Sequence, residues 1–143
     1  MKIVKASPDV KTPEYATQGS AAFDLRAYLP DGSITVRAGE TVLVGTGLFM
    51  EPDAGHGVFL LPRSGLGLKG LVLGNLVGLC DEDYTGEYKI IVWNRLGDGE
   101  FTIHNGDRIA QAVVMPVVRV QFSVVESLTE TVRGAGGFGH SGV

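Results

Sequence analysis

Five short segments of this 143-residue chain carry side chains able to do chemistry. Pro62-Arg63-Ser64-Gly65-Leu66-Gly67 closes an apolar stretch with a guanidinium, a hydroxyl and freely oriented backbone N–H groups, the parts of an anion cradle. Residues 75–87 set two apolar stretches around four acids, a hairpin with unusual acidity near its end. Asp81, directly after an apolar run, could be held with its carboxylate in a pocket, where it would orient and deprotonate a water. Tyr84 could pack its ring against a sugar. Residues 106–111 read as a Gly-Asp turn that launches a strand, and Gln111 offers donors and an acceptor suited to phosphate oxygens. Residues 22–27 alternate as a strand with one acid, Asp24, which could meet a hydrated Mg²⁺, an ion that keeps several waters and takes few carboxylates. From Arg133 onward there are five glycines in ten residues, with Arg133, Phe138 and Ser141 set among them. A charge, a flat ring and a hydroxyl on such a strap can fold over a phosphorylated aromatic ligand. Each segment also has a plainer reading: an exposed turn, a solvated acidic loop, a strand start, a strand acid, a frayed tail. Taken singly, the plainer readings are preferred.

The elements that must position these residues are strands. Short apolar stretches recur at 34–36, 41–44, 48–50, 58–61, 88–93, 101–103, 108–115 and 119–124, several with period-two alternation and all punctuated by Gly, Pro, Asn or Asp. No long window has a helical period, and residues 65–74 hold at most a turn or two. The pattern predicts an all-β domain, a sandwich, jelly roll or closed barrel, over residues 1–132, with a flexible glycine-rich arm at 133–143. The chain has 21 glycines where average usage gives about 10, which signals tight turns or backbone close to a ligand.

Composition narrows the function. A net charge of −4 argues against a nucleic-acid-gripping surface, so positive contacts to an anionic ligand must be local. Cys80 is the only cysteine, and His56, His104 and His140 show no zinc-ligand spacing. The start turns polar before a signal core can form, and no apolar run approaches bilayer-spanning length, so the expectation is a soluble cytoplasmic protein without a membrane partner.

Taken together and in order, the five segments resemble the five motifs of the trimeric dUTP pyrophosphatase (dUTPase) family. Residues 22–27, 62–65, 78–87, 106–111 and 133–142 correspond to the first through the fifth. Pro-Arg-Ser-Gly-Leu, Asp-x-Asp-Tyr-x-Gly-Glu and Arg-Gly-x-Gly-Gly-Phe-Gly are each fairly specific, and the match runs from about Ser20 to the last residues. The resemblance implies a jelly-roll fold and a homotrimer whose sites are shared between subunits, the arm of one closing a neighbour's site. It implies hydrolysis of dUTP to dUMP and pyrophosphate with Mg²⁺, limiting uracil in DNA and supplying dUMP for dTMP synthesis.

Residue by residue, Asp81 matches the acid that orients the attacking water and takes its proton, and Asp24 the acid that reaches Mg²⁺ through water. Arg63, Ser64, Gly65 and Gln111 match groups holding the phosphates. Asn75, with backbone at Gly78, Leu79 and Asp81, matches the base reader, and Tyr84 lies under the deoxyribose. Arg133, Gly139 and Ser141 match arm contacts, and Phe138 stacks over uracil. Cys80 departs from the family's usual aliphatic residue, and Ala21-Ala22 from its commoner Ala-Gly. A dCTP deaminase on the same fold, a nucleotide-gated regulatory protein and a capsid-like jelly-roll module are the alternatives. The deaminase lacks an Asp-x-Asp-Tyr-x-Gly-Glu segment of this kind.

Overall fold

The alternating stretches resolve into ten strands and one short helix in the computed structural model, which describes residues 1–137. The strands are β1 (Lys2–Lys5), β2 (Phe23–Arg26), β3 (Ser33–Arg37), β4 (Thr41–Glu51), β5 (His56–Leu61), β6 (Leu71–Leu73), β7 (Gly78–Cys80), β8 (Glu87–Asn94), β9 (Glu100–His104) and β10 (Arg108–Pro116). Helix α1 (Ser64–Lys69) is the turn or two expected after the arginine segment, and it stops at Gly70 in the left-handed conformation, φ 102°.

Two four-stranded antiparallel sheets, ordered β1-β4-β8-β6 and β2-β10-β5-β7, face each other, and β3-β9 forms a separate ribbon. Alternation decides which face is inward: Tyr88, Ile90 and Val92 on β8 are buried while Lys89 and Ile91 are exposed. They meet Leu25, Val58, Ala110 and Ala112 from the opposite sheet. Every strand pairing is between strands that are not consecutive in the chain, because the chain switches sheets at nearly every turn. This is the all-β architecture that the alternation predicts, in the jelly-roll-like form that the resemblance implies.

Three expectations change. Stretches 41–44 and 48–50 are one strand, β4, whose register with β8 shifts between Gly45 and Phe49. At the shift, Thr46 Oγ1 donates to the Tyr88 carbonyl at 2.6 Å, and the Glu87 carboxylate accepts the Gly47 N–H at 2.8 Å. Side chains thus replace the ladder where the backbone bulges. Segment 75–87 is not a self-paired hairpin: β7 pairs with β5, while β8 pairs with β4 and β6 in the other sheet, so the acidic turn joins two layers. Segment 119–124 alternates but forms no strand among the described residues, and Val120, Phe122 and Val124 are fully or largely exposed.

Candidate active site

The register of the second sheet gathers three of the five segments. Asp24 on β2 lies opposite Gln111 on β10, and Gln111 lies opposite Leu61 at the end of β5, two residues before Arg63. Arg63 Nε donates to Asp24 Oδ1 at 2.9 Å, and Arg108 Nη1 donates to Asp24 Oδ2 at 3.0 Å. Arg63 Nη1 also donates to the Arg108 carbonyl at 3.1 Å, and Gln111 Nε2 to the Pro62 carbonyl at 3.0 Å. Two guanidinium groups on one half-buried carboxylate leave a local positive surplus in an acidic protein. Ser64 and Gly65 follow, exposed on the first turn of α1. Arg108 belongs to this cluster, although nothing in its segment assigned it a role; its partner stands 84 residues away.

The acidic segment occupies another place. The loop before β7 holds Asn75 exposed and Leu76 at φ 62°, a left-handed conformation that costs a leucine roughly 1–2 kcal/mol. Gly78 runs so close to β5 that an added Cβ would stand 2.9 Å from the Leu60 Cβ. Leu79 points outward, 60% exposed. Asp81 is exposed, lining a cleft of about 330 Å³ with His56, Phe59, Leu79, Glu82 and Arg119. The tied acid of the turn is Glu82. Its carboxylate accepts the Gly55 N–H at 2.5 Å and Arg119 Nη2 at 2.6 Å, and these bonds, the backbone one first, hold its carboxyl below the usual glutamate range. Tyr84, 44% exposed, donates its hydroxyl to the Glu87 carbonyl at 3.0 Å. Burial first, then the Asp81 charge, pushes the half-buried Cys80 thiol up, which suits a packing residue rather than a thiolate.

The two places are apart within one chain. Cys80 pairs with Val58, whereas Gln111 and Asp24 are level with Leu61, and Asp81 continues away from them toward Gly57. Gly57 to Leu61 is about 13 Å of extended strand. Arg133 lies in an exposed turn and donates through Nε to the Gly136 carbonyl at 2.8 Å. Phe138, Gly139 and Ser141 lie outside the described residues. Among the described residues no three His, Cys, Asp or Glu side chains converge as a metal cage, and none of the helices is long and apolar enough to cross a membrane.

The dUTPase family model matches residues 9–142, nearly the whole chain. The chain belongs to the dUTPase family. Deoxyuridine 5'-triphosphate nucleotidohydrolases of Idiomarina loihiensis and Pseudomonas aeruginosa are 58% identical over 135 residues and 54% identical over 136. Those alignments cover 93% and 94% of this chain, and 88% and 89% of the relatives. The activity that goes with this membership is that of a dUTP diphosphatase, the hydrolysis of dUTP. Among solved structures, a Staphylococcus bacteriophage 80alpha dUTPase with dUpNHpp aligns at TM-score 0.89 and 24% identity over 99% of this chain and 98% of that one. A dUTPase of phage phi11 of S. aureus, described with a structural Mg(II) ion, aligns at TM-score 0.78 and 20% identity over 88% and 96%. These two likenesses speak to the fold.

Proposed function

We propose that dUTP is split at its α-phosphorus, with Asp81 as the base, at a site built from more than one copy of this chain. The observation that carries the reading is the separation of Asp81 from the Asp24–Arg63–Gln111 cluster. A triphosphate held by the arginines of one copy can present its α-phosphorus to the Asp81 turn of another. The segment after Pro116 supports association, because Val118, Phe122, Val124, Leu128 and Val132 are 85–110% exposed, a density of apolar surface that a second copy would cover. We read the assembly as a homotrimer, with the arm from Arg133, including Phe138, Gly139 and Ser141, closing over the nucleotide.

In that site Asp81 accepts a proton from water, the water oxygen bonds to the α-phosphorus, and the bond from the α-phosphorus to the bridging oxygen breaks. Pyrophosphate leaves with that oxygen, and dUMP remains. Asp81 suits the role because its carboxylate makes no ion pair among the described residues, leaving its lone pairs for a water. Arg63, Ser64, Gly65 and Gln111 hold the phosphate chain. Asn75 and the backbone at Gly78 and Leu79 read uracil, whose O4 accepts and whose N3–H donates. Cytosine reverses both, with a donating amine at C4 and a bare, accepting N3, and leaves buried polar groups unpaired.

The donor set fits a Mg²⁺ carried on the substrate rather than caged by protein, since no metal cage of carboxylates forms among the described residues and Asp24 is shared by two arginines. Asp24 would hold that ion through water, and the bound ion would neutralise part of the triphosphate charge and polarise its oxygens.

A substrate panel tests the reading. Pyrophosphate should form from dUTP, depend on Mg²⁺ and stop with EDTA, while dCTP, dTTP and UTP stay near background. Ammonia from dCTP, or equal turnover of all four nucleotides, would overturn it.

A further inference from the structure

Tyr84 is more restrained than an exposed turn requires. Its hydroxyl is bonded to the Glu87 carbonyl at 3.0 Å. Its ring lies on Gly86, where an added Cβ would stand 2.6 Å from the Tyr84 Cζ and 2.8 Å from Cε2. Its third support is Tyr88, whose ring centroid is 5.8 Å away at an interplanar angle of 55°.

Tyr88 in turn cannot move. It is fully buried in the core, and its carbonyl accepts the Thr46 hydroxyl at 2.6 Å where β4 bulges. Its own hydroxyl has no hydrogen-bond partner among the described residues, the one buried side-chain polar atom there in that state. Leaving a hydroxyl in that condition costs roughly 1–3 kcal/mol, so an apolar side chain would serve the core better. What Tyr84 meets is the ring, not that hydroxyl.

A ring that lies under a sugar rejects a 2′-hydroxyl only as far as it resists being pushed aside. An apolar wall rejects an added hydroxyl only modestly, by about a hundredfold, and by less the more easily the wall is displaced. We propose that Tyr88, together with Gly86, sets the preference for deoxyribose over ribose by fixing the plane of Tyr84. Tyr88 is a positioning residue here, since it acts through Tyr84 and does not touch the nucleotide. The inference rests on the reading that Tyr84 lies under the deoxyribose.

The test is the ratio of kcat/KM for dUTP to that for UTP, measured with Mg²⁺ on the full-length protein. Tyr84→Ala should collapse the ratio. Tyr88→Leu, which removes the ring but keeps an apolar core, should lower it about tenfold, through a gain on UTP as well as a loss on dUTP. Tyr88→Phe should keep the ratio and melt no lower than the parent, because the ring stays and only the unpartnered hydroxyl goes. Gly86→Ala displaces the Tyr84 ring directly without emptying the core and should lower the same ratio, so a misfolded Tyr88→Leu leaves the question answerable. An unchanged ratio in Tyr88→Leu and Gly86→Ala, with Tyr84→Ala collapsed, would overturn the inference and leave the sugar reading standing. An unchanged ratio in Tyr84→Ala would remove both.

Discussion

Asp24 and Asp81 stand toward opposite ends of β5 and are held in opposite ways. Asp24 lies between Arg63 and Arg108, at 2.9 and 3.0 Å, with both carboxylate oxygens taken. Asp81 is exposed and makes no ion pair among the described residues, and the hydrogen bonds that fix its turn go to Glu82 instead. On the proposed reading, the difference is how one small domain would divide binding from chemistry. A phosphate cradle gains from arginines held in place before the ligand arrives, and a shared carboxylate holds them without cancelling their charge. A general base gains from the reverse, because a guanidinium on its lone pairs would compete with the water it must deprotonate.

The largest effect should come from the bare side. Asp81→Asn should lower kcat about 10³-fold or more while calorimetry still shows dUTP binding with Mg²⁺, since it removes the proton acceptor and leaves the cradle intact. Near-normal turnover would break the division at its centre. On the networked side, Arg63→Ala should act on KM, raising it about tenfold or more, with a smaller change in kcat. It should also destabilise the fold by about 1–3 kcal/mol in urea unfolding, because Asp24 loses its more buried partner. A pure kcat effect would show that the two regions do not divide the work in this way.

The smallest effects are in pH dependence, and they sharpen the view of the bare side. Burial pushes the Tyr88 hydroxyl from 10.0 up to about 12. The unfolded chain gives up that proton sooner, so its contribution to stability is whole below pH 10 and is lost as pH rises toward 12. In Tyr88→Phe the urea midpoint should decline less over that window. Glu82 behaves in the opposite sense: its carboxyl is held low, so its contribution is present above the usual glutamate range and is lost as pH falls through the folded value.

The sequence showed the strands that alternate and the residues proposed as a cradle, but not how the strands pair. Alternation at 88–93 located β8 and its inward face, because one buried side leaves a period of two. It also marked 119–124, where Val120, Phe122 and Val124 alternate in sequence yet pair with no strand among the described residues; alternation states that a face needs covering and is silent about which chain covers it. Glycines at 45 and 47 read as a break, whereas the Thr46 hydroxyl and the Glu87 carboxylate carry β4 across it. Arg108 was visible inside its segment but had no assignable role, since its meaning lies in Asp24, 84 residues earlier. The distance between Asp81 and the cradle was likewise invisible, because motif order along the chain does not encode which sheet edge each motif reaches.

The central claim is that the cradle of one copy works with the Asp81 of another, and mixing two impaired variants, assayed at dUTP well below the KM of Arg63→Ala, tests it most directly. Asp81→Asn keeps the cradle, and Arg63→Ala keeps the base. Unfolded together in equal amounts and refolded, they should regain activity in about a quarter of the sites, those pairing an intact Asp81 with an intact Arg63 from a different subunit. Light scattering on the same sample should show the trimer mass. Mixed trimers no more active than the average of the two parents, or an active monomer, would contradict the account.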